Sequence, residues 1–381
     1  MNQIYFDYNS TAPLDPFVRA AMVPVLVEIY GNPSSPHRIG QRARVLLDAA
    51  HERVAGVLGC GAGEVVFTSG GTEANNLAIL GAARRRRGYG RHLITSAVEH
   101  HSVLNCFRYL AEQEGYSVTC LPVDSEGRVL VDSLREAIRP DTVLVSIMAA
   151  NNETGVLQPA SELGGICREH GILFHTDAVQ WFGKERLTSI HQFNADLVTV
   201  CAHKFHGPKG AGALFIRSGV KLDPLLFGGS QENERRPGTE NLAAITGLTE
   251  ATCRFVLDPV FPLDQLRMLR QRVIRLLESI RDVLVLGERS ERLSNTVAFS
   301  VAGCDSVTLV SGLDMEGICV SGGAACASGS MRTSHVLEAM KVPREFTRSL
   351  VRISMGRETG EADLIALEKV LPGVIERARS A

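Results

Sequence analysis

The stretch "LVTVCAHKFHGPKG", residues 197–210, begins apolar and ends in charge. Leu197 to Ala202 is a strand-like apolar run, and Gly207-Pro208 then breaks the chain. Between them lies His203-Lys204-Phe205-His206. An ammonium group flanked by imidazoles at the C-terminal end of a buried strand has two readings. Lysine is common at solvated strand ends, which is the bland one. The other is that a ligand waits there.

The flanking sequence makes this strand one of several. Glu64–Thr68, His92–Ala97, Ser117–Val123, Thr142–Met148, Ile172–Thr176 and Gly212–Arg217 also read as short strands. Stretches of helical character, such as Glu73–Arg87 and Ala160–His170, lie between several of them. The alternation predicts an α/β fold, with a mainly parallel sheet flanked by helices in a large domain. In such sheets ligands gather beyond the carboxyl ends of the strands, where Lys204 stands. After Asn241 the pattern changes. Helical stretches over about 241–257 and 263–281 lead to Val283–Leu286, Asn295–Val301, Ser306–Glu316, Leu350–Ser354 and a terminal helix from Glu361. This is a smaller α+β arrangement. Asp258-Pro259 breaks the pattern, so residues 13–258 are expected to form the large domain, and residues 1–12 with 259–381 the small one.

With 381 residues the chain can bury cores for two unequal domains. Its 40 basic and 42 acidic residues leave no global field that would draw nucleic acid or an anionic membrane. The run Arg84-Arg85-Arg86-Arg87 closes an apolar-periodic stretch, where cations oppose the negative end of a helix. The N-terminus MNQIYFDYNS lacks the basic and apolar regions of a secretory signal, and no apolar run approaches a membrane span. Nine cysteines lie without paired CxxC spacing. A cytoplasmic protein with mostly buried thiols is expected, with neither a disulfide frame nor a metal site.

"FTSGGTEANN", residues 67–76, runs a strand into Ser69-Gly70-Gly71-Thr72 and straight into a helix. Glycines let an anion approach the backbone, and the N–H groups of a first helical turn point at it. The spacing is that of neither a nucleotide P-loop nor a dinucleotide fold. A plain glycine turn with Thr72 as N-cap is the alternative. "HTDAVQ", residues 175–180, carries Asp177 to another strand end, with Gln180 three residues on. Its carboxylate can be an N-cap or the partner of a protonated ring nitrogen. Taken together, a phosphate cradle, an Asp at one strand end and a Lys at the next are the three anchors that pyridoxal 5'-phosphate needs.

Further motifs run along nearly the whole chain: "YFDYNSTAPLD" (5–15), "GNPSSPH" (31–37), "EHHSVL" (99–104), "NNETGVLQP" (151–159), "RRPGTEN" (235–241), "AACASGS" (324–330) and "VRISMGR" (351–357). With the three above, they resemble the cysteine desulfurases of the NifS/IscS type, in the fold-type I, class V aminotransferase group.

The resemblance implies roles position by position. Lys204 matches the Schiff-base lysine; Lys209, between Pro208 and Gly210, reads as part of a turn. Asp177 matches the partner of the pyridinium nitrogen, and Gln180 and Asn152 match residues near the ring hydroxyl and the substrate. His100 matches the imidazole that stacks on the ring and helps proton transfer, while His101 has no match. Gly71, Thr72 and His203 match phosphate-side positions, and Cys201 and Ala202 complete the cofactor-binding set. Thr239 matches a phosphate ligand supplied by the partner subunit, which implies a homodimer. Arg352, with Asn32, matches the site of the substrate carboxylate, where a planar guanidinium suits a bidentate grip. Cys326, in "SGGAACASGS", matches the thiol that takes the sulfur, and its small neighbours on both sides predict a loop.

The implied reaction turns L-cysteine into L-alanine. Sulfur passes to Cys326 as a persulfide, for delivery to an iron–sulfur scaffold or another sulfur-acceptor protein. Two departures stand out. Three residues before the lysine the family commonly has a Ser that donates to the phosphate, and here it is Cys201, a weak donor. The family's "SSGSACTS" and "LEPS" read "SGGAACAS" and "MRTS" (331–334), which bears on which partner meets the loop. Selenocysteine lyase and a thiol-independent class V enzyme are the rival activities. A scaffold without turnover would need none of Lys204, Asp177, His100 and Arg352.

Overall fold

The structure is a computed structural model and describes residues 3–322 and 333–380. A short strand β1 (Ile4–Tyr5) is followed by β2 (Val65–Thr68), β3 (His92–Ser96), β4 (Ser117–Leu121), β5 (Thr142–Ser146), β6 (Leu173–Asp177), β7 (Leu197–Cys201) and β8 (Gly212–Ile216). Strands β2 to β8 form a seven-stranded sheet in the order β2-β8-β7-β6-β5-β3-β4. Every pairing from β7 to β4 is parallel, and β8 runs antiparallel to both β7 and β2. The mainly parallel α/β sheet expected from the sequence is therefore present.

Period-two alternation divides the sheet's side chains between two cores. Val66, Leu93, Leu144, Leu173, Leu197 and Leu214 pack under the helices Gly71–Arg86 and His101–Glu114. Phe67, Ile94, Val145, Phe174, Val198 and Phe215 fill the opposite face. Burial on both faces still leaves polar rungs inside the sheet, one of them at its centre. His175 bridges Ser146 Oγ at 2.7 Å and Thr199 Oγ1 at 3.0 Å, tying β5, β6 and β7 together. Burial pushes that imidazole down to about 3, so it is a neutral strut.

Beyond Asn241 come β9 (Val283–Leu286), β10 (Thr296–Val301), β11 (Ile318–Cys319) and β12 (Val351–Ser354). An antiparallel sheet has the order β12-β10-β9, and β1 pairs in parallel with β11. Phe6, Tyr8, Val297, Phe299 and Ile353 join the terminal helix Glu361–Arg379 in one apolar core. The chain then leaves this core for the ends of the large sheet. Ala12 N–H donates to His203 O at 2.8 Å and Asp15 N–H to His206 O at 3.0 Å. Asp15 caps the helix Pro16–Glu28 and also accepts from Arg357 at 2.7 Å. The N-terminal segment is thus stitched between the two sheets.

Several parallel strands stop short of the ends predicted from the sequence, because apolar residues just past them are buried in loops. Ile147 and Met148 are 0% and 2% exposed though β5 ends at Ser146, and Ile147 N–H still reaches His175 O. The helices Pro16–Glu28 and Arg38–Leu58 and the β1–β11 pairing were not anticipated.

Candidate active site

At the end of β2 the backbone turns at Gly70, with φ 154° and ψ −177°, a region open essentially to glycine alone. The helix starts at Gly71, earlier than the sequence implies, with Gly70 as a cap that offers no side chain. Thr72 therefore lies inside the first turn, and the plain Thr N-cap alternative falls away. A Cβ on Gly71 would meet Val179 Cγ2 at 2.9 Å, so the bare backbone is required there. Glu73 accepts from Ser69 N–H at 2.7 Å and pairs with Arg236 at 2.8 Å, bracing the turn from outside.

Asp177 ends β6, and Lys204 follows β7 by three residues, on parallel neighbours in the register Asp177↔Thr199. Asp177 Oδ2 accepts from Asn75 Nδ2 at 2.7 Å, and the same amide donates to Ser102 Oγ at 2.8 Å. With its acceptor role filled, the Ser102 hydroxyl donates to His100 Nδ1, 2.8 Å away, which also receives Ser102 N–H. The network leaves Nε2 as the proton-bearing nitrogen of His100. Burial holds that imidazole below its usual range, with Asp177 opposing, so it is neutral near pH 7.

Among the described residues no carboxylate is hydrogen-bonded to Lys204. Its Nζ donates to two carbonyl oxygens, Asn9 O at 2.8 Å and Ser10 O at 2.7 Å. Burial and then the Arg352 cation push the amine down to about 8. Arg352, on β12, donates through Nη2 to Asp7 at 2.7 Å and Ser10 Oγ at 2.8 Å, and through Nη1 to Asn152 O at 2.8 Å. A cavity of about 400 Å³ joins these groups, and Gln180, His203 and Cys201 also line it. Burial and then the Lys204 charge push His203 down to about 4. Burial raises the Cys201 thiol, while backbone N–H of Gly71 opposes the rise, which puts the sulfur beside the start of the cradle helix.

The aminotransferase class-V family model matches residues 4–367. The cysteine desulfurase IscS of Dictyoglomus turgidum is 45% identical over 379 residues, covering 99% of this chain and 96% of its own length. Among solved structures, a NifS-like protein superposes with a TM-score of 0.91 at 35% identity, covering 98% of this chain and all of that one. SspA in complex with cysteine has a TM-score of 0.82 at 34% identity, covering 94% of this chain and 100% of its own. The chain belongs to the cysteine desulfurases of aminotransferase class V.

The enzyme's family uses pyridoxal 5'-phosphate, and the residues present fit it. The first-turn amides of the cradle helix suit a phosphate, Asp177 a protonated ring nitrogen, and the depressed Lys204 amine an aldehyde. Two buried polar atoms beside the cavity, Asn75 Oδ1 and Arg352 Nε, have no partner among the described residues, as groups that meet a bound cofactor or substrate would.

The cavity brings together Lys204, His100, Gly71, Thr72, Asn152, Asp177, Gln180, Cys201, His203 and Arg352 from the expected set. It does not bring Ala202, whose methyl is fully buried in the large core. Nor does it bring Asn32, which is exposed and accepts from Ser34 N–H at 2.8 Å. Thr239 is exposed and away from its own chain's cavity. Cys326 lies outside the described residues. Sequence reasoning missed Asp7, Asn9 and Ser10, although the motif around them was visible, and missed Asn75 in the cradle helix. Among the fully buried titratable groups it missed are two beside the cavity. Glu99, next to His100, is raised to about 8 by burial and accepts from Ser96 Oγ and Met148 N–H. The other is Lys184. Among the described residues no group of three or more His, Cys, Asp or Glu could hold a metal ion, and no helix is long and apolar enough to cross a membrane.

Proposed function

We propose that this desulfurase turns L-cysteine and its own Cys326 thiol into L-alanine and a Cys326 persulfide. The observation that carries the reading is the convergence of Lys204, Asp177 and Arg352 on one cavity. The neighbour solved with cysteine supports the substrate. Bound pyridoxal phosphate supplies the electron sink that lets a Cα proton leave and weakens the Cβ–S bond.

The chain's own residues do the rest. Arg352 binds the substrate carboxylate, and Asp177 holds positive charge at the ring nitrogen. Gln180 and Asn152 would hold the ring hydroxyl and the substrate, and Gly71, Thr72, Cys201 and His203 the phosphate. With its amine titrating near 8, Lys204 has a workable unprotonated fraction at neutral pH and moves the proton at Cα. His100 would stack on the ring, and it keeps Nε2–H free for proton traffic, since Ser102 occupies Nδ1. In the sulfur step the Cys326 thiolate attacks the substrate sulfur. An S–S bond forms, the Cβ–S bond breaks with its electron pair going to Cβ, and a proton there completes alanine.

We place Thr239 in a partner subunit's phosphate site. Exposed Leu226 and Phe227 on the same segment, 54% and 91% accessible, give a homodimer an apolar surface to bury. The core joining Phe6, Tyr8 and Ala12 to residues 261–378 supports residues 1–12 and 259–381 as one domain and 13–258 as the other. The persulfide then passes to a sulfur-acceptor protein such as an iron–sulfur scaffold. A reducing cytoplasm suits the eight free cysteines among the described residues.

Incubating holoenzyme with L-cysteine should yield alanine and protein persulfide in equal amounts. Cys326→Ser should keep the cofactor and form neither. Alanine at the native rate from that variant would make the protein a thiol-independent lyase, and a strong preference for selenocysteine would make it a selenocysteine lyase.

A further inference from the structure

Lys184 is 0% exposed, yet among the described residues its nitrogen hydrogen-bonds only amide oxygens and otherwise lies over the Phe261 ring, 5.5 Å from its centroid. Nζ donates to Asn9 Oδ1 at 2.6 Å and to Gln180 Oε1 at 2.5 Å. The charges that reach it are the cations Lys204 and Arg352. Burying an amine without a carboxylate is costly, so its two acceptors are where a purpose should be sought.

One acceptor belongs to a residue on the cavity. A glutamine amide can sit either way round, and its neighbours decide which. Asn9 O can only accept, and it faces Gln180 Nε2 at 2.8 Å. Lys184 supplies the donor that Gln180 Oε1 needs on the other side. Without Lys184 that oxygen would be buried and unsatisfied, free to turn toward other donors. Asn9 is locked in the same way, since its Oδ1 accepts from Lys184 and Asn295 while its Nδ2 donates to Thr296 Oγ1 at 2.9 Å. With both ends of the Gln180 amide engaged, the second hydrogen on Nε2 remains for the cavity. Lys184 itself does not line the cavity.

We propose that Lys184 is a positioning residue for the cofactor, holding the Gln180 amide so that an N–H donor faces the ring hydroxyl. This rests on the reading that places Gln180 beside that hydroxyl. A donor there favours the ionised oxygen, and its loss makes that oxygen more basic. Lys184 therefore acts on the cofactor's protonation through Gln180 and needs no contact with it.

The test is the pH titration of the cofactor's visible absorption band in the full-length holoenzyme, together with cofactor affinity measured on the apoprotein. Lys184→Met, Gln180→Leu and the double variant are compared. Lys184→Met is expected to move the midpoint upward by on the order of one unit. Gln180→Leu should move it in the same direction, and the double variant no further than either. Where Lys184→Met does not fold, Lys184→Gln, too short to reach both acceptors, replaces it with a shift in the same direction expected. An unmoved midpoint in the lysine variant beside a moved one in Gln180→Leu would overturn the proposal and leave Lys184 a packing residue. An unmoved midpoint in both would remove Gln180 from the hydroxyl, and the proposal would fall with that reading.

Discussion

The ends of β6 and β7 and the segment Asp7–Thr11 face the same cavity, but they are built by different means. The strand ends are held by ladders buried on both faces, so Asp177 and Lys204 inherit their places from register. The N-terminal segment has no regular pairing of that length. It is held by scattered bonds, among them Asn9 N–H to Ser354 Oγ at 3.0 Å and Ala12 N–H to His203 O at 2.8 Å. Yet it supplies acceptors to Lys204, Lys184, Gln180 and Arg352, with Asp7 as its one carboxylate bonded to these groups. Carboxylates against Lys204 would favour its ammonium form, whereas carbonyl oxygens hold the nitrogen and leave it depressed to about 8. One region places the reactive groups, and the other anchors them, while burial and the Arg352 cation hold the Lys204 amine below its usual range.

The largest effect should come from the strand end. Lys204→Ala is expected to abolish turnover and the cofactor's lysine-bound absorption, while Lys209→Ala, in an exposed turn, keeps both. Equal loss in the two variants would break the assignment of the reactive amine to the end of β7.

Next comes the N-terminal side. Asp7→Asn leaves the buried Arg352 guanidinium without its carboxylate, which is 21% exposed. The pair stands between buried and surface behaviour, so a loss of about 2 kcal/mol in chemical denaturation is expected. The KM for cysteine should fall, because the substrate carboxylate no longer shares Arg352 with Asp7. Unchanged stability would show that carbonyl and hydroxyl oxygens alone hold the guanidinium.

A third test concerns the protonation of Lys204. Capture of an aldehyde needs the unprotonated amine, and a lowered pKa makes that form available at lower pH. The rate at which apoprotein takes up cofactor should therefore rise with pH through a midpoint near 8. A midpoint near that of a free lysine, about 10.4, would mean that burial and the Arg352 cation do not depress the amine.

Much of the strand-end half was legible in the sequence, and little of the N-terminal half. A short apolar run that stops at a Gly or Pro break is a local pattern, so "FTSGG", "HTDAVQ" and "AHKFHGP" announced their turns and the residues that end them. "YFDYNSTAPLD" was visible as a motif without a job, because Asn9 and Ser10 act on Lys204 through main-chain oxygens that any residue possesses. Lys184 and Asn75 are ordinary residue types whose meaning comes from partners 175 and 102 positions away. Ala202 shows the same limit on reading a side chain's direction from its neighbours. It adjoins the lysine in sequence, but the turn after β7 points its methyl into the core.

The smallest effect belongs to Cys201. Its thiol sits 3.8 Å from Ala211 O and lines the cavity near the cradle. Cys201→Ser replaces a weak donor with a hydroxyl and should tighten cofactor retention by up to about tenfold, or about 1.4 kcal/mol. Unchanged retention on dialysis would show that this position does not serve the phosphate.

Lysines 184, 204 and 209 lie close together in the sequence, and Lys204 is the one of the three that lines the cavity. Borohydride reduction of the holoenzyme fixes the cofactor to the amine that holds it, and peptide mapping then identifies that amine. The expected result is label on Lys204 alone. Label on Lys184 or Lys209 would contradict it.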